Sequence, residues 1–150
     1  MCADVCGKEA ISFETDEQGF WYPKVDKKLC VECGLCEKKC PSLKNIPLND
    51  KQPKVYSVWS KNDEVRITST SGGAFWEIAE KFLDNGGVVA GSRYREDWKS
   101  AEHIIAKNKQ ELLQIKGSKY FQSDTAGIYK QVKKELEKGK KFYSAEHLAK

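Results

Sequence analysis

The sequence predicts an α+β protein in which a small cysteine-rich module precedes an incomplete α/β domain with a mixed or parallel sheet. Four of the six cysteines lie within residues 30–40. Residues 41–53 are rich in Pro, Asn, Lys and Asp without hydrophobic periodicity, which is typical of a linker. After them, short apolar runs alternate with segments of helical periodicity, as in α/β domains. We expect the module at 1–47, the linker at 48–54 and the second domain at 55–150.

The composition indicates a folded chain with a solvated surface. Of the 150 residues, 39% are hydrophobic and 32% are charged, and the formal net charge is +4. The lysines are scattered, so we do not expect a nucleic-acid partner, which would need a clustered basic face. No apolar run approaches the ~18 residues of a membrane span, and the N-terminus lacks the apolar core of a signal peptide. We therefore predict a cytoplasmic protein without a membrane span.

The cysteine run carries the clearest chemical signal. Residues 30–41 read Cys-Val-Glu-Cys-Gly-Leu-Cys-Glu-Lys-Lys-Cys-Pro. Three cysteines at three-residue spacing can bind three irons of a 4Fe–4S cubane, and the fourth, which precedes proline, serves the other cluster in two-cluster ferredoxins. The run thus predicts a ferredoxin-like iron–sulfur module and electron transfer. Zinc stays open as an alternative, although zinc usually takes two ligand pairs separated by a longer loop.

A partial echo of the run occurs near the N-terminus. Cys2 and Cys6 have the same spacing as the last two cysteines of the run. Extended backwards, the echo places its own first two cysteines before Met1, so we expect the first motif to be truncated.

Exchange of fourth ligands between the two motifs assigns the cysteines to two sites. We expect one intact 4Fe–4S cluster and a second cluster that is absent, labile or completed by another protein. The predicted ligands of the complete cluster are Cys6, Cys30, Cys33 and Cys36, and those of the incomplete second cluster are Cys2 and Cys40.

A hairpin is predicted between the two cysteine motifs. Ile11, Phe13 and Thr15 alternate with polar residues, as in a half-buried strand. Residues 16–19 have turn composition, and residues 20–25 can form the return strand. We expect the apolar face of this hairpin to shield the cluster from water.

The second domain is predicted from alternating apolar runs and helical periodicity. Residues 55–59 predict a strand, residues 74–85 a helix with one apolar face, and residues 88–91 the next strand. This order predicts a right-handed βαβ unit with a parallel strand pair. The remaining predicted elements are a strand at 101–106, a helix at about 109–116, a helix at about 125–138 and a strand at 140–144.

Two loops of this domain carry residues suited to ligand binding, and the first is Ser-Thr-Ser-Gly-Gly at residues 69–73. At Gly72 and Gly73 a ligand can approach the backbone, and the following helix start favours an anion. Together with Ser71, these residues suit a flavin or nucleotide phosphate. Simple capping of the helix by Ser71 is the alternative.

The second loop covers residues 117–124. Lys119 supplies a cation, Tyr120 a stacking face, and Gln122 and Ser123 supply hydrogen-bonding groups. A helix start capped by Ser123 or by the aspartate after it is the alternative. Neither histidine has a partner in the sequence, and we assign neither a role.

Together these motifs resemble the beta-subunit family of coenzyme F420 (deazaflavin) hydrogenases and dehydrogenases, in particular its bacterial branch found among polysaccharide-biosynthesis genes. The two loops, in this order, are the most specific part of the resemblance. It rests on residues 17–23, 30–41, 55–59, 69–73, 86–89 and 117–123.

The resemblance implies an iron–sulfur head and an α/β flavoprotein core that pass electrons between 4Fe–4S clusters and FAD or a deazaflavin. It implies that both loops line the flavin site. Family members run to several hundred residues and usually continue with Gly-Thr-Pro-Cys where this chain reads Ala-Glu-His-Leu from residue 145. We therefore expect a fragment, with a redox partner protein or the remainder of the family domain as its partner, and catalysis by this chain alone is left open.

Two alternatives to this interpretation stay open. In the first, the chain would be a simple ferredoxin-like carrier with an α/β appendage for docking. In the second, it would be a metal-stabilised interaction module without electron transfer.

Overall fold

The chain divides into two units, residues 1–52 and residues 53–150. The predicted linker at 48–54 falls mostly outside the described residues, so the predicted domain limits stay a prediction. The residues described by the computed structural model are 2–44, 52, 54–125 and 127–144.

The first unit contains the predicted hairpin. Strands β1 (Ile11–Thr15) and β2 (Trp21–Val25) pair antiparallel. Asp16 shapes the turn between them, because its Oδ1 accepts hydrogen bonds from the backbone N–H groups of Gln18 and Phe20, both at 2.9 Å. This short side-chain-to-backbone pattern is the Asx-turn that aspartate favours. The hairpin prediction is confirmed.

Two short helices carry cysteines in the same unit, and the sequence did not predict them. Helix α1 (Cys2–Val5) and helix α2 (Leu35–Lys39) lie against each other. Because α2 contains Cys36, this contact brings the N-terminal cysteine segment next to the cysteine run. A short 3-10 turn, Pro41–Leu43, follows.

The first unit has almost no hydrophobic core among its described residues. Ala10, at 2% exposure, is the one buried apolar side chain there. Phe13, Tyr22 and Val25 are 44%, 58% and 45% exposed, so the hairpin face that we expected to be half-buried is open. A unit this small needs another source of stability, such as a metal centre.

The second unit is built on a three-stranded sheet. Strand β3 (Val88–Tyr94) lies in the middle, antiparallel to β4 (Ala101–Ala106) and parallel to β5 (Phe142–Ser144). The sheet is therefore mixed, which is one of the two predicted forms.

The predicted strand at residues 55–59 is wrong. This segment is irregular, and its Val55, Tyr56 and Trp59 side chains are 86%, 74% and 64% exposed. Its composition suits a strand, but a strand needs a hydrogen-bonding neighbour, and the described part of the chain offers none. The parallel partner of β3 is β5, so the predicted βαβ unit is also wrong. Helix α3 (Asp63–Ile67), which we did not predict, follows instead.

The three predicted helices of this unit are present as α4 (Ala74–Asp84), α5 (Lys109–Ile115) and α6 (Ile128–Glu137). Helix α6 begins three residues later than expected because Gly127, at φ +76°, occupies the N-cap position. None of the described helices is both long enough and apolar enough to cross a membrane.

The core of the second unit lies where α4 and α5 pack on the sheet. Its packing is close at Gly91, where a Cβ atom would overlap Cγ2 of Ile115. The buried residues of this core are Ala79, Val89, Ala106, Leu112 and Ile115.

Candidate functional site

The cysteines of the first unit are free thiols, with Cys33 exposed and the other five half-buried. Two of them already accept backbone hydrogen bonds. The Glu32 N–H donates to Sγ of Cys30, and the Ala10 N–H donates to Sγ of Cys6, each at 3.4 Å. Such N–H to sulfur bonds orient thiolate ligands and tune the potential of a cluster.

The loop that carries the run bends sharply around Cys33. Glu32 has φ +53° and Gly34 has φ +68°, so left-handed residues stand on both sides of this cysteine. The start of the loop is tied down by the Cys30 N–H, which donates to the carbonyl oxygen of Asp26 at 2.9 Å. Left-handed backbone is costly for glutamate, and here it turns the chain between successive cysteines.

This donor set fits a 4Fe–4S cluster by its chemistry. Among the described residues, no three Cys, His, Asp or Glu side chains converge closely enough to hold one metal ion. In a cubane each thiolate binds a different iron, so the ligands need not converge as they do around a single zinc ion. The soft donors, their spacing and the N–H to sulfur bonds are those that a cluster uses. The assignment of individual ligands stays a prediction: Cys6, Cys30, Cys33 and Cys36 for one site, Cys2 and Cys40 for the other.

In the second unit, the Ser-Gly-Gly loop lines a cavity of about 410 Å³. Gly73, at φ +83°, is the N-cap residue of α4, and no described side chain caps this helix. Capping by Ser71, the alternative from the sequence, is therefore not what the structure has. A Cβ atom on Gly72 would overlap the carbonyl oxygen of Val58. The uncapped amides of α4 leave partial positive charge at this end of the helix.

Lys116, which we did not predict as a site residue from the sequence, supplies a cation to this cavity. Its Nζ lies 2.5 Å from Oγ1 of Thr68 and 5.2 Å from the ring centroid of Trp76. It lines the same cavity as Ser71, Gly72 and Gly73. Lys116 comes directly after α5, far along the chain from the Ser-Gly-Gly loop, so local sequence offered no signal.

The second loop lines a larger cleft of about 770 Å³. Ala74, Phe75 and Gly117 line both this cleft and the smaller cavity, and a Cβ atom on Gly117 would lie 3.6 Å from Cγ2 of Thr70. The structure therefore brings the two predicted loops together. The predicted residues that line the cleft are Lys119, Tyr120, Gln122 and Ser123.

Lys119 holds the loop in place by capping α5. Its Nζ donates to the carbonyl oxygens of Ile115, Lys116 and Gly117 at 3.0, 3.2 and 3.0 Å, and to that of Gln114 at 3.3 Å. Burial lowers the pKa of Lys119. A cation at the carbonyl end of a helix is favourable. Lys119 is thus a positioning residue whose charge is already engaged by this chain.

Ser123 connects the loop to the sheet through a histidine. Its Oγ lies 3.0 Å from Oγ of Ser92 and 3.0 Å from Nδ1 of His103. All three residues line the cleft. His103 and Ser92 stand opposite each other on β4 and β3. From the sequence we assigned neither of these two residues a role, because their contact with Ser123 depends on strand register and on a distant loop.

An ion-pair network fastens the end of this loop to β3 and β4. Nη2 of Arg95 lies 2.7 Å from Oδ2 of Asp124, and its Nε lies 3.1 Å from Oε2 of Glu102. The guanidinium groups of Arg93 and Arg95 lower the pKa of Glu102. Neither Ser123 nor Asp124 acts as the N-cap of α6, a position that Gly127 holds.

Each of the two units of the chain matches a model of a known protein family. Residues 55–130 match the family model described as coenzyme F420 hydrogenase/dehydrogenase, beta subunit N-terminus. Residues 1–43 match the 4Fe-4S dicluster domain. No curated protein matches the sequence. The first match covers just over half of the chain and contains both loops of the second unit.

Proposed function

The chain belongs to the coenzyme F420 hydrogenase/dehydrogenase beta subunit family, and on that premise we propose that it passes electrons between a 4Fe–4S cluster in its first unit and FAD or a deazaflavin bound in its second. An iron–sulfur electron-transfer role follows from the two family matches. The flavin is the part that the proposal adds.

The cysteines of the first unit would hold the cluster, which when bound carries one electron at a time. Cys30, Cys33 and Cys36 would come from the sharply bent loop, and Cys6 from the segment that follows α1. The amides of Ala10 and Glu32 support this ligand set, since each already donates to a cysteine sulfur.

The observation that carries the flavin proposal is the meeting of the two loops. All seven residues predicted for flavin binding line one of two adjoining cavities. Lys116 and the uncapped amides of α4 suit the phosphates, because both offer positive charge at one cavity. Tyr120, at 84% exposure, offers a free aromatic face, and Phe75 and Tyr143 give the larger cleft an apolar wall. Its volume lies in the range of cofactor sites.

A partner subunit is part of the same proposal. The matched family is described as a beta subunit, which supports a redox partner protein that exchanges electrons with the cluster. A cytoplasmic location and the absence of a nucleic-acid partner stay predictions.

The cluster is tested by iron and sulfide analysis of anaerobically reconstituted protein. We expect about four irons and four sulfides per chain, with a paramagnetic signal after dithionite. Cys36→Ser should lose most of this content, whereas the matched variant Cys40→Ser should keep it. Two stable clusters per chain would contradict the ligand assignment, and a colourless, silent protein would support the zinc-stabilised alternative.

The flavin is tested by fluorescence titration with FAD and with riboflavin, which lacks phosphate. We expect saturable quenching by FAD and about 10–150-fold weaker FAD affinity in Lys116→Met, since a charged phosphate contact contributes about 1.5–3 kcal/mol. Riboflavin affinity should not change in that variant. Lys133→Met is the matched control, because Lys133 is an exposed residue of α6 outside both cavities. No saturable binding by the wild-type chain would favour the simple carrier.

A further inference from the structure

We propose that His103 is the proton-exchanging residue of the large cleft, held by Ser123 and Ser92, and that it supplies the proton which a flavin takes up when the cluster reduces it. This inference rests on the flavin function proposed above. It adds a residue to which neither the sequence nor the family match assigns a role.

Three elements converge to place this imidazole at the cleft. His103 lies on β4 directly opposite Ser92 on β3, and the loop brings Ser123 over the pair. The backbone N–H of His103 donates to the carbonyl oxygen of Asp124 at 2.8 Å, and the Asp124 N–H donates to Ala101 at 2.8 Å. Asp124, the residue after Ser123, is thereby bridged to β4 on both sides of Glu102.

The chemistry of the contact suits a group that changes protonation. An imidazolium that loses its Nε2 proton keeps the hydrogen on Nδ1, so Ser123 accepts from Nδ1–H in both states and holds the ring in one orientation. The Ser92 hydroxyl donates to Oγ of Ser123 at 3.0 Å and fixes that hydroxyl against the ring. Contact through Nδ1 leaves Nε2 of His103 to exchange a proton with a bound molecule.

The charged groups around His103 are already paired within this chain. Glu102 and Asp124 form ion pairs with Arg93 and Arg95, so their charges are already balanced and do not fix the charge state of His103. Histidine is the side chain that most often acts as a general acid or base in enzymes. The other titratable side chains that line the cleft are Lys119, Tyr120, Tyr129 and Tyr143.

The proposed reduction of a flavin consumes a proton, so it needs a proton donor. A reduced cluster delivers electrons singly and without protons. A bound flavin would supply a two-electron acceptor whose full reduction consumes a proton. His103 in its imidazolium form would give that proton from Nε2, and the cluster, re-reduced by the partner protein, would supply the two electrons in succession. The neutral imidazole then regains a proton from water, and in the opposite direction the same group accepts the proton.

The test uses the full chain with its cluster reconstituted and FAD bound. Under continuous photoreduction, which returns a second electron to the cluster, bleaching of the flavin absorbance is followed from about pH 5.5 to about pH 8.5. General acid catalysis contributes about 10²–10⁴-fold, so His103→Gln should slow bleaching at least about 100-fold, remove its pH dependence and keep the FAD affinity. Added imidazole should restore part of the rate in His103→Ala. Glu96→Gln, at an exposed residue of the β3–β4 turn, should behave as wild type.

A second measurement does not depend on turnover. The imidazole NMR signals of His103 should shift when FAD is added to the flavin-free protein, and Ser123→Ala should shift them without FAD. If the His103 variants do not fold, Ser123→Ala keeps the inference testable, because it should slow bleaching about tenfold while the pH dependence remains.

Each outcome separates the two proposals. Wild-type protein that does not bind FAD would refute the flavin function and this inference with it. If FAD binds and His103→Gln bleaches at the wild-type rate at every pH, the inference is wrong while the function stands. An equal loss of FAD affinity and rate, without rescue by imidazole, would assign His103 a structural role and also overturn the inference.

Discussion

Nζ of Lys107 lies 2.9 Å from Oε1 of Glu135, whose side chain is only 6% exposed. Lys138 approaches the same oxygen at 3.0 Å, and Lys140 approaches Oε2 at 3.6 Å. The hydrogen bonds from Lys107 and Lys138 lower the pKa of Glu135 to about 2. One buried carboxylate therefore ties α6 to the segment after β4 and to the chain that leads into β5.

The first prediction concerns acid stability. Because the pKa of Glu135 is lower in the folded state, about 2, than its usual value of 4.5, the ionised carboxylate favours folding. Its contribution is complete above pH 4.5 and is lost as the pH falls through this window toward 2. Glu135→Gln should therefore destabilise the protein at neutral pH, and its deficit should shrink on acidification. Urea unfolding of both proteins across this range measures the difference.

The control for this prediction is Glu137→Gln on the same helix. Glu137 is 62% exposed and lies 3.7 Å from Lys133, and exposed pairs of this kind contribute about 0.3–0.5 kcal/mol. A deficit in Glu135→Gln that equals that of Glu137→Gln, or that does not change with pH, would contradict the prediction.

The second prediction concerns Gly91. A Cβ atom there would overlap Cγ2 of Ile115, so Gly91→Ala must displace a core side chain. Overpacking of this kind costs about 1–3 kcal/mol. Chemical denaturation should show a lower midpoint for Gly91→Ala with an unchanged slope.

A double-mutant cycle isolates the cause. Ile115→Ala should itself cost about 2–5 kcal/mol, but it removes the atom that Gly91→Ala strikes. In that background the glycine substitution should cost much less than it does alone. Strictly additive effects would show that the overlap is relieved elsewhere.

The third prediction concerns removal of the metal. Ala10 is the one buried apolar side chain among the described residues of the first unit, so a bound cluster is expected to supply most of that unit's stability. Iron chelation should make amide hydrogens of the β1–β2 hairpin exchange at near-unprotected rates. Amides of β3 and β4 should keep their protection, and equal loss in both units would contradict this.

The fourth prediction concerns Lys119. Its ammonium group satisfies carbonyl oxygens at the end of α5, and unpaired buried acceptors cost about 1–3 kcal/mol. Lys119→Met should lower stability by about that amount and speed hydrogen exchange in residues 117–123. Lys133→Met, at an exposed site, should do neither.

Periodic segments were predictable because their pattern reports burial directly. Phe75, Ala79 and Phe82 recur at helical spacing, and α4 forms there with all three in or against the core. The same reasoning failed at residues 55–59, because a short apolar run forms a strand only when a neighbouring strand exists to pair with it. Strand pairing is non-local, and so the partner of β3 was also misassigned.

In the candidate site, too, residues in local motifs were predictable and residues that depend on distant contacts were not. Both loops were found from local motifs and from the family resemblance, since glycines and polar residues there are contiguous. His103 and Lys116 were missed because their partners lie on other elements. From the sequence we also expected Lys119 to offer its charge to a ligand. In the structure its ammonium group donates to carbonyl oxygens at the end of α5 instead.

The parallel pairing of β3 with β5 sets the order in which the second unit can be built. The β3–β4 ribbon closes over a short turn and can form early, whereas β5 must wait for all of the intervening chain. Tyr143 and Ser144 of β5 line the large cleft. During synthesis, this part of the cleft wall therefore forms after the β3–β4 ribbon, and a nascent chain lacks a complete cleft until β5 has docked.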